Sequence, residues 1–131
     1  MSTGARPLSP HIQIYRWQIQ MVTSILHRAT GIALAAGSIV VLLGVLALAA
    51  GPDAYATMQS FGASWIGRIL LIGWTWSLAY HLLNGIRHLV QDGGAQFEIR
   101  EFVRNGWIAI IGSFVLTVVV WAIVFAVGSA P

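Results

Sequence analysis

Residues 31–50 read GIALAAGSIVVLLGVLALAA, twenty residues without one ionisable side chain. A hydrocarbon core about 30 Å thick is crossed by roughly 20 apolar residues in an α-helix, which rises about 1.5 Å per residue. A buried helix of a water-soluble protein rarely runs this far without a charge. The stretch therefore predicts a transmembrane helix.

Two later segments have the same character. Residues 69–86 form an apolar run of eighteen that is interrupted only by His81 and Asn84, and residues 106–129 form an uncharged run of twenty-four. Turn residues at 51–53 separate the first two runs. We predict one all-α membrane-anchor domain over residues 1–131, with an N-terminal arm and helix start at 1–21 and three transmembrane helices at about 22–50, 64–90 and 106–129.

The composition of the whole chain agrees with a membrane location. Its 131 residues are 57% hydrophobic and only 8% charged, against about 25% charged in ordinary soluble domains. The net charge of +3 is small and the arginines are scattered, which argues against a nucleic-acid partner. The chain has no cysteine, which excludes disulfides and a thiolate iron–sulfur site.

The arginines also predict an orientation. Six of the seven lie before the first span or around the loop after the second: Arg6, Arg16, Arg28, Arg87, Arg100 and Arg104. By the positive-inside rule the N-terminus is cytoplasmic and the C-terminus periplasmic. No cleavable signal peptide or Arg- and Ser-rich transit segment is recognisable, so we expect a multi-pass protein of a bacterial inner membrane.

One face of the second span carries small and polar residues at steps of four, three and four: His81, Gly85, His88 and Asp92. Ionisable side chains inside a membrane helix are costly and suggest a function, and neutral imidazole is a common axial ligand of haem iron. Gly85, one turn from His81, would leave room for a flat macrocycle. The alternative is that His81 only hydrogen-bonds a neighbouring helix.

The chain offers no second axial ligand. His88 lies about 10 Å from His81 along the same helix face, whereas two ligands of one iron approach from opposite sides of the ring. His27, at the inner edge of helix one, is expected to lie shallower than His81 and is better placed for a haem propionate. A haem held by His81 would therefore take its sixth ligand from another chain.

A second group of residues opens helix one. Steps of four, three and four place four side chains on one stripe, with Ile25 beside it: Trp17, Met21, Ser24 and Arg28. Such a stripe suits a quinone headgroup, because Ser24 can donate a hydrogen bond to a carbonyl oxygen and Arg28 can stabilise developing negative charge. The spacing alone favours a plainer interpretation, an interfacial helix anchored by its Trp and Arg.

The chain resembles the cytochrome b556 subunit of succinate dehydrogenase at three motifs in order. The first is Arg6-Pro7-Leu8-Ser9-Pro10-His11 with Ile14-Tyr15, the second is Ser24-Ile25-Leu26-His27-Arg28 with Thr30-Gly31, and the third runs from His81 through Gly85-Ile86-Arg87-His88 to Asp92. Together they cover essentially the whole chain, although the third span matches only in length and hydrophobicity.

That resemblance implies a role for each group of residues. His81 would be one axial ligand of haem b, shared with a second membrane-anchor subunit, and His27, Arg28, Gly85 and His88 would surround the haem and its propionates. Ser24 and Arg28 would bind ubiquinone, and the pocket would be lined by Trp17, Met21 and Ile25. Electrons would come from a flavoprotein subunit through an iron–sulfur subunit.

Three other functions stay open at the level of sequence. An anchor of a quinol:fumarate reductase would have the same architecture and work in the opposite direction. A small transporter or scaffold without cofactors would have the same hydropathy. A free-standing cytochrome b would need a second buried axial histidine, which the sequence does not supply.

Overall fold

The structure is a computed structural model that describes residues 16–95 and 98–128. The first motif, residues 6–15, lies outside the described residues. The described chain forms four helices: α1, Ile19–Ala50; α2, Pro52–Ala63; α3, Trp65–Asp92; and α4, Ile99–Gly128. Within the described residues, α1, α3 and α4 are long and apolar enough to cross a membrane. The prediction of an all-helical chain with three long apolar helices is therefore confirmed.

The interior of the bundle is made of small and polar side chains. The buried apolar residues among those described are Ala79, Tyr80 and Ala109, whereas large aliphatic and aromatic side chains along all three long helices are exposed. Lipid is as apolar as leucine, so burying leucine between membrane helices gains little, and small residues that allow close approach are favoured instead. The exposed aliphatic surface is the surface that would meet lipid or another subunit.

Helix α3 packs against both α1 and α4. The Tyr80 hydroxyl donates a hydrogen bond of 2.9 Å to the carbonyl oxygen of Thr23 on α1. Trp121 of α4 donates from Nε1 to Thr75 Oγ1 of α3 at 3.3 Å. These side-chain bonds help fix the register of α3, which carries His81, against its two neighbours.

Helix α2 is absent from the sequence-based prediction, which has only a turn at 51–53. The chain turns at Gly51, whose φ of 123° is readily adopted only by glycine. Pro52 then occupies the first turn of α2, and Asp53 provides an acidic residue there. Proline and an acid at a helix N-terminus are helix-start signals as well as turn signals, so the same residues indicate both features.

Candidate functional site

His81 lies on α3 where that helix faces the first turns of α1. Its imidazole is half-buried, and Nδ1 is 3.2 Å from the carbonyl oxygen of His27. The same nitrogen is 3.3 Å from Thr30 Oγ1. Both contacts cross from one helix to the other, so α1 determines how the ring of His81 is turned.

These contacts assign the proton on His81. A carbonyl oxygen can only accept a hydrogen bond, so the bond to His27 requires that Nδ1 carry the hydrogen. The Nε2 lone pair is then free for another partner, and the structure gives Nε2 no hydrogen bond within the described ranges. A metal-ligating histidine typically has this arrangement, with its second ring N–H donated to a carbonyl or carboxylate.

The imidazole of His27 stacks directly on that of His81. Their ring centroids are 3.9 Å apart and the planes differ by 11°, so the two imidazoles are in direct contact, which the sequence did not predict. The register between two helices, which sequence does not supply, decides this. His27 Nδ1 is buried and has no hydrogen-bond partner among the described residues. The His88 ring lies farther away, with its centroid 5.3 Å from that of His27.

Each stacked ring lies against a glycine of the opposite helix. A Cβ atom at Gly31 of α1 would come 3.2 Å from His81 Cε1, and one at Gly85 of α3 would lie 4.0 Å from His27 Cε1. The first distance is tighter than an ordinary contact, so the small residue at 31 allows His81 to approach α1. Gly85, which the sequence predicts to leave room for a macrocycle, is therefore adjacent to the His27 ring in this chain.

Most of the residues proposed for a quinone pocket lie in the first turns of α1, and Trp17 lies just before that helix. Met21 and Ser24 are half-buried, whereas Trp17 and Arg28 are exposed. Ile25 is also exposed. Within this chain alone, these side chains therefore form a surface that is open on one side and is not an enclosed pocket.

A buried polar cluster on α3 is missing from the sequence-based site. Asn84, Arg87 and Gln91 are all buried. Arg87 Nη1 donates to Asn84 Oδ1 at 3.2 Å, and its guanidinium carbon lies 4.1 Å from the ring centroid of Phe102 on α4. The spacing of three and four residues is the available signal, because it places all three on one face of the helix.

Comparison with known proteins identifies the family. The model of the family described as succinate dehydrogenase/fumarate reductase transmembrane subunit matches residues 2–120. The succinate dehydrogenase cytochrome b556 subunit of Paracoccus denitrificans is 41% identical over 125 residues, which cover 95% of this chain and 96% of that protein.

Two further relatives have similar identity. The cytochrome b556 subunit of Rickettsia prowazekii is 40% identical over 116 residues, with 88% of this chain and 90% of that protein covered. The mitochondrial cytochrome b560 subunit of Sus scrofa is 41% identical over 110 residues, with 81% of this chain and 64% of that protein covered. With its three long apolar helices, the chain therefore belongs to the family of succinate dehydrogenase and fumarate reductase transmembrane subunits.

Proposed function

We propose that this chain is the cytochrome b membrane anchor of a succinate:ubiquinone oxidoreductase, in which His81 supplies one axial ligand of haem b. The observation that carries the proposal is the bond from His81 Nδ1–H to the His27 carbonyl, 3.2 Å long. That bond leaves Nε2 as the ligating atom and supports its basicity. The relatives named as cytochrome b556 and b560 subunits agree with a haem of the b type.

The residues around His81 fit such a group. His27 Nδ1 is a buried polar atom without a partner within the described residues, and Arg28 follows it with an exposed cationic side chain. An imidazole N–H and a guanidinium can bind the propionates of a haem. Gly85 and His88, on the same face of α3 as His81, would also border the haem. When bound, the haem provides a one-electron redox centre within the membrane.

A companion membrane-anchor subunit would supply the second residue that holds the haem iron. The rings of His27 and His81 are in contact, with centroids 3.9 Å apart, which leaves no space for a macrocycle between them, and His88 lies on the same helix as His81. Neither His27 nor His88 is therefore placed to complete the iron coordination. The exposed apolar faces of α1 and α3 supply the surface on which a second helical subunit can pack.

The start of α1 forms part of the ubiquinone-reduction site. Ser24 donates a hydrogen bond to one quinone oxygen, and Arg28 stabilises the negative charge that develops as electrons arrive. Trp17, Met21 and Ile25 provide the apolar wall. These side chains are exposed or half-buried here, so the companion and iron–sulfur subunits are expected to close the pocket, and a flavoprotein subunit oxidises succinate.

The cellular orientation follows from the charges. The N-terminal arm and the adjoining ends of α3 and α4, which carry most of the arginines, face the cytoplasm of a bacterial inner membrane, and the C-terminus faces the periplasm. The quinone pocket then lies near the cytoplasmic surface. The family also includes fumarate reductase subunits, but the relatives described above are named as succinate dehydrogenase subunits, which favours succinate oxidation.

The test is the optical spectrum of the purified four-subunit complex. His81→Ala is expected to abolish or strongly perturb the b-type absorption bands, because the iron loses one of its two axial ligands. His88→Ala removes another imidazole of the same helix, one assigned to the haem surroundings and not to the iron, so this variant should retain six-coordinate haem even if its absorption bands shift slightly. Full haem content with an unchanged spectrum in His81→Ala would exclude His81 as a ligand.

A further inference from the structure

Thr30 of α1 contacts a histidine of α3 in addition to making the usual hydrogen bonds within its own helix. Its side chain is buried, with 2% of its surface exposed. The hydroxyl donates within α1 to the carbonyl oxygens of Leu26 at 2.8 Å and His27 at 3.0 Å. Its oxygen also lies 3.3 Å from Nδ1 of His81 on α3.

The direction of each bond follows from the donors available. The single hydroxyl hydrogen of Thr30 is taken by the α1 carbonyls, so its oxygen presents a lone pair to His81. Nδ1–H of His81 therefore lies between two acceptors on one helix, Thr30 Oγ1 and the His27 carbonyl oxygen. Two acceptors hold the ring plane more firmly than one. They also draw the Nδ1 hydrogen away from the imidazole, which makes the Nε2 lone pair a stronger ligand for a metal ion.

Thr117, another buried threonine, makes only a hydrogen bond within its own helix among the described residues. Thr117 of α4 is also buried, and its hydroxyl donates to the carbonyl oxygen of Ser113 at 2.7 Å, four residues earlier. This is the usual way in which a threonine satisfies its hydroxyl within a helix. Thr117 has no histidine partner among the described residues, so the contact across to an imidazole distinguishes Thr30.

We propose that Thr30 is a positioning residue for His81, acting with the His27 carbonyl to fix the tautomer and rotation of the imidazole and to strengthen Nε2 as an iron ligand. The proposal rests on the proposed function, in which Nε2 of His81 binds haem b. It adds that α1 governs the ligand strength and orientation of a histidine on α3. Gly31 belongs to the same arrangement, because a side chain there would press on His81 Cε1.

The experiment compares Thr30→Val, Thr30→Ser and the control Thr117→Val in the purified four-subunit complex. Haem per complex after dilution and the haem midpoint potential are measured. Thr30→Val keeps the branched shape but lacks the acceptor, and we expect haem affinity to fall about tenfold, the lower end of the effect of losing an outer-shell partner. The potential should become more positive, because a weaker imidazole donor stabilises ferric iron less.

The other variants separate positioning from packing. Thr30→Ser restores the hydroxyl and should return haem affinity and potential to wild-type values, and Thr117→Val should leave both unchanged. If Thr30→Val prevents assembly, Thr30→Ala provides the same measurement without a branched side chain against the ring. Wild-type affinity and potential in the variant lacking the hydroxyl would overturn the positioning role.

His81→Ala, measured alongside, distinguishes the two proposals. Loss of haem in His81→Ala with no effect of removing the Thr30 hydroxyl would sink only the positioning role. Unchanged haem in His81→Ala would sink the ligand assignment on which it rests.

Discussion

Gly37 of α1 faces the indole of Trp74 on α3, and the change Gly37→Ala tests how tightly these helices are matched. A Cβ atom at position 37 would overlap Nε1 and Cδ1 of Trp74 and come within 2.5 Å of Cε2, whereas unstrained contacts begin at about 3.5 Å. The indole would have to shift by more than about 1.5 Å to restore that separation. Inserting one carbon into such a contact typically costs about 1–3 kcal/mol.

Gly44→Ala is the matched control, because a Cβ atom at position 44 meets nothing within 4 Å. Both variants share the helix preference of alanine over glycine, about 1 kcal/mol in aqueous helices. Their difference in unfolding free energy therefore isolates the clash, and we expect Gly37→Ala to be the less stable by about 1–3 kcal/mol. SDS-induced unfolding in mixed micelles provides the measurement.

A double-mutant cycle locates the cause. When Trp74→Ala has removed the indole, Gly37→Ala should cost no more than Gly44→Ala, because the overlapping atoms are gone. Equal stability of the two glycine variants in the wild-type background would refute the close approach. A cost that persists without Trp74 would place the strain elsewhere.

Two further predictions concern α1. Tyr80→Phe removes the donor to the Thr23 carbonyl and should lower the unfolding free energy in the same assay by about 0.6 kcal/mol, the average for hydrogen bonds between membrane helices, and by no more than about 1.7 kcal/mol, the largest value. An unchanged unfolding free energy would show that this bond does not stabilise the fold. Ser24→Ala and Arg28→Leu should impair quinone reduction by membranes containing the assembled complex while leaving succinate oxidation with a soluble acceptor intact. Equal losses of the two activities would mean that these residues serve assembly.

Some of the polar residues inside the bundle could be identified from the sequence, and others could not. The sequence singled out His81 because an imidazole within an eighteen-residue apolar run is unusual. It did not single out Thr30, because a threonine that bonds its own helix is common and nothing local indicates an imidazole across the interface. Asn84 and Arg87 were likewise passed over, because their burial depends on α4, which supplies Phe102.

By itself the sequence determined the helical class and the three long apolar helices, since every backbone polar group in lipid must be satisfied within its own segment and a long apolar run then forms a helix. It also carried the family motifs. Only the tertiary structure decided which faces meet: the stacking of His27 on His81, the Thr30 contact and the fit of Trp74 onto Gly37. The physical reason is that hydropathy is nearly uniform around a membrane helix. The rotation and register of each helix are therefore set by close packing and by a few hydrogen bonds between residues 46 or more positions apart.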